Sequence, residues 1–131
     1  MSDRSALIQS DYADGILSIR INRPDKKNAL TSDMYAQLAD LFDHRATQED
    51  VHAVIFSGAK DFSAGNDLED FLARPPSTGS GEKAPVWEFM RALSNCPVPV
   101  IAAVDGFAVG IGTTLLLHCD FVYSTPNTAF M

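Results

Sequence analysis

Twice along this chain a short apolar run rich in β-branched residues ends in a glycine-bearing loop that opens into a helix-like segment. The first run holds Ala53-Val54-Ile55-Phe56, is closed by Gly58 and precedes Phe62-Ser63-Ala64-Gly65-Asn66-Asp67-Leu68. The second covers residues 98–104 and precedes Asp105-Gly106-Phe107-Ala108-Val109-Gly110-Ile111-Gly112. A run apolar on both faces reads as a strand covered from both sides, the usual situation in a parallel sheet. Parallel neighbours need long crossovers, so strand, loop and helix repeated in that order predict an α/β domain with helical connections.

The rest of the chain is punctuated to match. Residues 7–12 and 16–21 read as strands joined at Asp14-Gly15, a dipeptide suited to the positive φ angles of a tight hairpin. Ile19 and Ile21 alternate with Ser18 and Arg20, which predicts one buried face. Arg23-Pro24 ends the sheet, Thr31 is placed as a helix N-cap, and Met34, Leu38, Leu41 and Phe42 recur at helical spacing toward residues 44–47. A short helix is expected over residues 67–73, then a surface segment rich in Pro, Ser and Gly over residues 74–82. A further helix with Pro85 in its first turn would turn Trp87, Met90, Leu93 and Phe89 inward and stop before Cys96-Pro97. The Leu115-Leu116-Leu117 run reads as a buried helix over residues 113–118, followed by a buried strand at 120–123.

Length and charge limit the possible functions. At 131 residues and 46% hydrophobic content the chain fits one domain with its own core. Its 17 acidic against 10 basic residues, a net charge of -7, argue against a nucleic-acid surface. The longest apolar stretch is too short to cross a bilayer and the first residues lack a signal-peptide core, so a cytoplasmic protein without membrane contact is expected. Cys96 and Cys119 stand apart and are read as reduced apolar residues, while His44, His52 and His118 are too scattered for a metal site.

The two glycine loops are the candidate functional elements. Loops that dispense with bulky side chains let backbone N–H groups face a ligand, an arrangement able to hold a polarised carbonyl oxygen. Read singly, each loop is more often an ordinary strand-to-helix turn, in which glycine serves only the backbone angles. Arg23, Lys26 and Lys27 form the densest basic cluster, which on residue type alone is a solvated turn.

Taken together, Asn22-Arg23-Pro24 through Asn28-Ala29-Leu30, the 62–68 loop, Pro97-Val98-Pro99-Val100-Ile101-Ala102-Ala103-Val104-Asp105-Gly106, Ala108-Val109-Gly110-Ile111-Gly112 and Cys119-Asp120 resemble the crotonase superfamily of enoyl-CoA hydratases and isomerases. The resemblance implies a crotonase-like spiral of ββα units, with residues 1–131 as the N-terminal part of an acyl-CoA-binding domain that is incomplete at its C-terminal end. It further implies an acyl-CoA thioester as substrate, with no cofactor beyond the coenzyme A that the substrate carries. The thioester oxygen would accept hydrogen bonds from the backbone N–H groups of Asn66 and Ile111, the latter at the positive end of a helix over residues 110–118. Lys26, Lys27, Ala29, Ala64, Gly65, Asn66, Asp67, Leu68 and Gly110 are carried over as substrate-binding residues. Assembly as a homotrimer or hexamer is implied for the whole protein.

The same resemblance bears on the reaction. Hydratases of the family carry a glutamate at the position matching Thr114, which offers no carboxylate. Adding water across a double bond generally uses two proton-handling groups, whereas moving the bond needs one. The similarity of the 63–68 and 108–111 segments to peroxisomal-type isomerases implies a 3-enoyl-CoA to 2-enoyl-CoA isomerase, whose glutamate is expected a few residues beyond Met131. Enoyl-CoA hydratase and a non-catalytic acyl-CoA-binding module remain as alternatives. Inside the chain, Asp67 is read as a helix cap, Glu69 and Asp70 as solvent-facing, Asp120 as structural and His118 as a core histidine. Ser63 lacks the elbow motif of a hydrolase nucleophile. Phe71, Trp87, Phe89 and Met90 are candidate pocket walls that fit plain core packing as well.

Overall fold

The computed structural model describes residues 4–75 and 84–131. The surface segment expected at residues 74–82 lies mostly outside them. Strands β1 (Ile8–Ala13) and β2 (Ile16–Ile21) form an antiparallel hairpin whose turn places Asp14 at φ 50° and Gly15 at φ 86°. Positive φ at both central residues matches the twist of the flanking strands. After a 3-10 turn at Pro24–Lys26, helix α1 (Ser32–Asp40) starts on the Thr31 cap, whose Oγ1 accepts from the Met34 N–H at 3.3 Å, and runs on as a π-turn at Leu41–Arg45.

Strand β3 (Ala53–Gly58) follows, then α2 (Leu68–Ala73), α3 (Pro85–Ser94), β4 (Val100–Val104), β5 (Phe107–Ala108) and α4 (Ile111–Thr114), which passes into a 3-10 turn at Leu115–His118. Strands β6 (Phe121–Ser124) and β7 (Ala129–Phe130) close the order. The main sheet runs β1-β2-β3-β4-β6, parallel from β2 onward, and β5 pairs with β7 in a second, two-stranded sheet. This is the α/β arrangement with crossovers that the repeated order demanded. No described helix is long and apolar enough to cross a membrane.

The core lies on one face of the main sheet. Leu17, Ile19 and Ile21 of β2, Val54 and Phe56 of β3, and Val100, Ala102 and Val104 of β4 point into it. Met34, Tyr35, Leu38 and Ala39 of α1 and Phe89, Ala92 and Leu93 of α3 bury against them. Phe42, Phe56, Phe62 and Phe89 form a chain of tilted and edge-on rings with centroids 5.5 to 6.3 Å apart, the separations at which aromatic pairs gain energy beyond area burial. Arg91 fastens α3 to the π-turn that follows α1 through both carboxylate oxygens of Asp43 at 3.2 and 2.6 Å.

Three expectations need correction. Strands β3, β4 and β6 are not buried on both faces: Ile55 is 36% exposed, Ala103 is exposed, and β6 is exposed throughout. Apolar composition says that a side chain suits burial, but helices α1 and α3 both pack on the same side. Trp87 is 54% exposed, because the positions that face the core are 89, 92 and 93 and residue 87 lies about 200° around the helix from residue 89. The buried helix expected at residues 113–118 is α only at Thr113 and Thr114 and 3-10 from Leu115 to His118; Leu115 and Leu116 are buried while Leu117 is 83% exposed and His118 is exposed. His118 therefore sits at the surface, its Nδ1 3.2 Å from Ser94 Oγ.

These placements separate two aromatic truncations. Phe56→Ala empties the centre of the ring cluster and is expected to lower the urea-unfolding free energy by roughly 3–5 kcal/mol. Trp87→Ala should change it by about 0.5 kcal/mol or less.

Candidate functional site

Segment 27–30 and the first glycine loop are laid side by side by backbone pairing. The Ala64 N–H donates to Lys27 O at 2.9 Å, Leu30 N–H to Gly65 O at 2.7 Å and Asp67 N–H to Leu30 O at 2.9 Å. Asn28, fully buried and at φ 59°, organises the join. Its Oδ1 accepts from Arg23 N–H at 2.6 Å, and its Nδ2 donates to Ala59 O at 3.1 Å and Asp61 O at 2.6 Å. Its carbonyl accepts from Ser63 Oγ at 2.8 Å, and the same Oγ accepts from Gly65 N–H at 3.1 Å. Ser63 is thus buried and engaged on both sides, which removes it as a nucleophile.

The second loop is bonded directly onto the first. Phe62 and Ser63 both donate to Phe107 O, at 3.1 and 3.0 Å, and Val109 N–H returns a bond to Ser63 O at 2.9 Å. The approach is so close that a Cβ on Gly65, which stands at φ 92°, would lie 2.8 Å from Val109 O. Gly110 N–H donates to Met131 O at 2.8 Å, Gly112 N–H to Val109 O at 2.9 Å, and Thr113 and Thr114 N–H groups to Gly110 O at 3.0 Å. Thr113 Oγ1 closes the loop on Ala108 O and on Met131 O.

A donor count singles out two groups. From Ala64 to Asp67 every backbone N–H has a partner among the described residues except that of Asn66, and from Val109 to Thr114 every one except that of Ile111. Their directions follow from the planar trans peptide, in which N–H and C=O point opposite ways. Gly65 O is turned to Leu30 and Gly110 O to Thr113 and Thr114, so the Asn66 N–H points away from segment 27–30 and the Ile111 N–H away from α4. Asn66 is exposed and Ile111 is half-buried, its side chain packed against the core. The helix expected behind Ile111 shrinks to one α turn and one 3-10 turn, and the macrodipole contribution shrinks with it.

The other sequence-derived residues divide. Lys26 and Lys27 are exposed beside the paired loops, with Lys27 Nζ 4.6 Å from the centre of the Phe107 ring. Ala29 and Ala64 are half-buried, Gly65 is buried, and Leu68 and Gly110 are exposed. Arg23 is committed to Asp67 at 2.9 Å and to Ala29 O at 3.1 Å, leaving the two lysines as the open charges of that cluster. Asp67 caps α2 by accepting from Asp70 N–H at 2.9 Å; that bond and the Arg23 guanidinium hold its carboxyl below the usual carboxylate range. Asp120 has the expected structural role, accepting from Val100 N–H at 2.8 Å. Glu69 and Thr114 are exposed.

Asp70 is not solvent-facing as expected: it accepts from the Ser32 N–H and Oγ, both at 2.8 Å, and so stitches α2 to the start of α1. Of the candidate pocket walls, Phe89 is plain core and Phe71 and Trp87 are exposed. Cys96 and Cys119 are free, and burial followed by the nearby Asp120 pushes the Cys119 thiol up to about 12. No group of three metal-ligating side chains occurs among the described residues. Two participants escaped the sequence reading. One is the Asn28 hub; the other is Tyr35, a buried ring whose hydroxyl donates to Asn66 Oδ1. The available signal was chemical: a tyrosine among the inward positions of α1 needs a partner for its O–H.

An α/β arrangement carrying two such loops at the C-terminal ends of adjacent parallel strands is of the crotonase type. Residues 11–131 match the family model for enoyl-CoA hydratase/isomerase, and the chain belongs to that family. It is 37% identical over 122 residues to human enoyl-CoA delta isomerase 2, covering 89% of this chain and 31% of that protein. To the Mycobacterium tuberculosis H37Rv protein named probable enoyl-CoA hydratase EchA14 it is 38% identical over 113 residues, covering 86% and 44%. The solved structure of Pseudomonas aeruginosa OdaA superposes with a TM-score of 0.87 at 46% identity, over 96% of this chain and 51% of that one. The chain spans about half or less of the length of these relatives.

Two measurements probe the scaffold of the loops. Asn28→Ala strips partners from the Arg23 N–H and from two carbonyls, and is expected to lower unfolding free energy by roughly 1–3 kcal/mol in urea titrations. Because the Asp67 carboxyl is depressed on folding, its stabilisation is complete above the unfolded value of about 3.9 and is lost as pH falls through the folded value. The stability gap between the protein and Asp67→Asn should therefore be constant above about pH 5 and narrow as the solution is acidified.

Proposed function

We propose that this chain supplies the acyl-CoA-binding and enolate-stabilising part of an enoyl-CoA isomerase that converts 3-enoyl-CoA to 2-enoyl-CoA. The observation that carries the reading is the pair of unspent N–H groups at Asn66 and Ile111, in two loops that are bonded to each other. In the reaction a proton leaves C2, the electron pair spreads onto the thioester oxygen, and a proton is delivered to C4. Negative charge grows on one oxygen, and donors already in place stabilise it without reorganising; the loss of one typically costs about 10²- to 10³-fold in rate. Lys26 and Lys27 would stand near the phosphates of coenzyme A, with Ala29, Ala64, Gly65, Asp67, Leu68 and Gly110 forming the surface along which it lies. No cofactor beyond that coenzyme A is needed.

Support for isomerisation over hydration comes from Thr114, which has no carboxylate, and from the engagement of Asp67 and Asp70 elsewhere. The proton-transferring carboxylate is assigned to the residues that follow position 131 in the family pattern, and trimeric or hexameric assembly belongs to the same proposal.

The test offers both 3-enoyl-CoA and 2-enoyl-CoA to the full-length gene product. Interconversion of the isomers without 3-hydroxyacyl-CoA is expected; rapid hydration would overturn the isomerase reading. Ile111→Pro provides the donor test, because proline is well accepted at the first residue of a helix and the N–H it removes bonds to nothing in the described fold. Turnover should fall by about 10²- to 10³-fold relative to Ile111→Ala, which loses the same side-chain packing against the core but keeps the N–H.

A further inference from the structure

We infer that Tyr35 is a positioning residue for the first backbone donor, acting through the side chain of Asn66; the inference rests on the function proposed above. The chemistry asks only for the main-chain N–H of residue 66, so the side chain there is free to do something else. It is tied back into the protein: Tyr35 donates its hydroxyl to Asn66 Oδ1, although Asn66 is itself exposed. An exposed asparagine would ordinarily leave its amide to water and its rotamers free. Tyr35 can hold it because its own ring cannot move, being buried in α1 with its centroid 5.8 Å from that of Phe89.

The tether completes a three-point restraint. Gly65 O is held by the Leu30 N–H and the Asp67 N–H is held by Leu30 O, which fixes the backbone on either side of residue 66 but leaves a rocking motion of the intervening peptides about that line. A bond from the side chain, off the line, opposes the rocking and so fixes the direction of the Asn66 N–H. Burial and the neighbouring Asp70 charge push the Tyr35 hydroxyl well above the usual tyrosine range, so it stays protonated and remains a donor across the working range of pH. A donor aimed in advance is worth more to a developing oxyanion than one that must be aimed during the reaction.

The experiment compares Tyr35→Phe, Asn66→Ala and the double variant with the parent full-length protein, using 3-enoyl-CoA turnover and the Raman carbonyl stretch of bound 2-enoyl-CoA. Tyr35→Phe keeps the ring, and Asn66→Ala breaks the same tether from an exposed position should the first variant fold poorly. Each single variant is expected to lower kcat by about 2- to 10-fold, the range one neutral hydrogen bond spans, with a smaller change in KM and a smaller downshift of the carbonyl stretch. The double variant should lose no more than either single one. Unchanged kcat and carbonyl stretch in Tyr35→Phe, or additive losses in the double variant, would overturn the tether and leave the proposed function standing. A parent protein that neither turns over substrate nor shifts its carbonyl stretch would overturn both.

Discussion

A single buried amide carries the geometry on which the rest of the site depends. Asn28 is taken wholly out of water, and its side chain repays that desolvation only because its oxygen and nitrogen together meet three backbone groups. Those groups belong to the turn after β2 and to the loop after β3, so satisfying the amide registers the two against each other. The Asn28 carbonyl extends the join to Ser63, and Ser63 extends it to Gly65 and to Val109. Each link is polar and directional, which apolar packing beneath the sheet could not supply.

The chain uses its glycines and its side chains for opposite purposes. At Gly65 a side chain is absent because the carbonyl of Val109 occupies the space where it would stand. At residues 23, 28, 63, 67 and 70 polar side chains are present and almost entirely consumed by backbone partners or by one another. Within segments 64–67 and 109–114, two main-chain donors have no partner among the described residues after this pairing. A site formed this way can keep its donors while residue types at positions 66 and 111 vary, which is why main-chain donors are poorly visible as motifs.

What could be read in the sequence, and what could not, follows from the range of each interaction. The hairpin, the Thr31 and Asp67 caps, the parallel crossovers and the two glycine loops are set by residues near one another in the chain, and each was legible. Burial was legible only as a tendency: Val54 and Phe56 obey it, whereas Ile55 and Ala103 face away from the one helical layer that α1 and α3 provide. Trp87 and Leu117 were misplaced because a helical phase and a change to 3-10 winding are decided by tertiary packing. Asp70 and Tyr35 were misread or passed over because their partners, Ser32 and Asn66, are 38 and 31 residues away.

The bond from the Gly110 N–H to the Met131 carbonyl has a mechanical meaning. The peptide preceding Gly110 is held by Met131, the residue that follows strand β7, and the next peptide is the one that carries the Ile111 N–H. The second donor is therefore aimed by a lever whose handle lies far downstream in sequence. Any displacement of β7 turns the lever, so substitutions around residues 129–131 change the direction of the Ile111 N–H through the backbone pairing of β7 with β5.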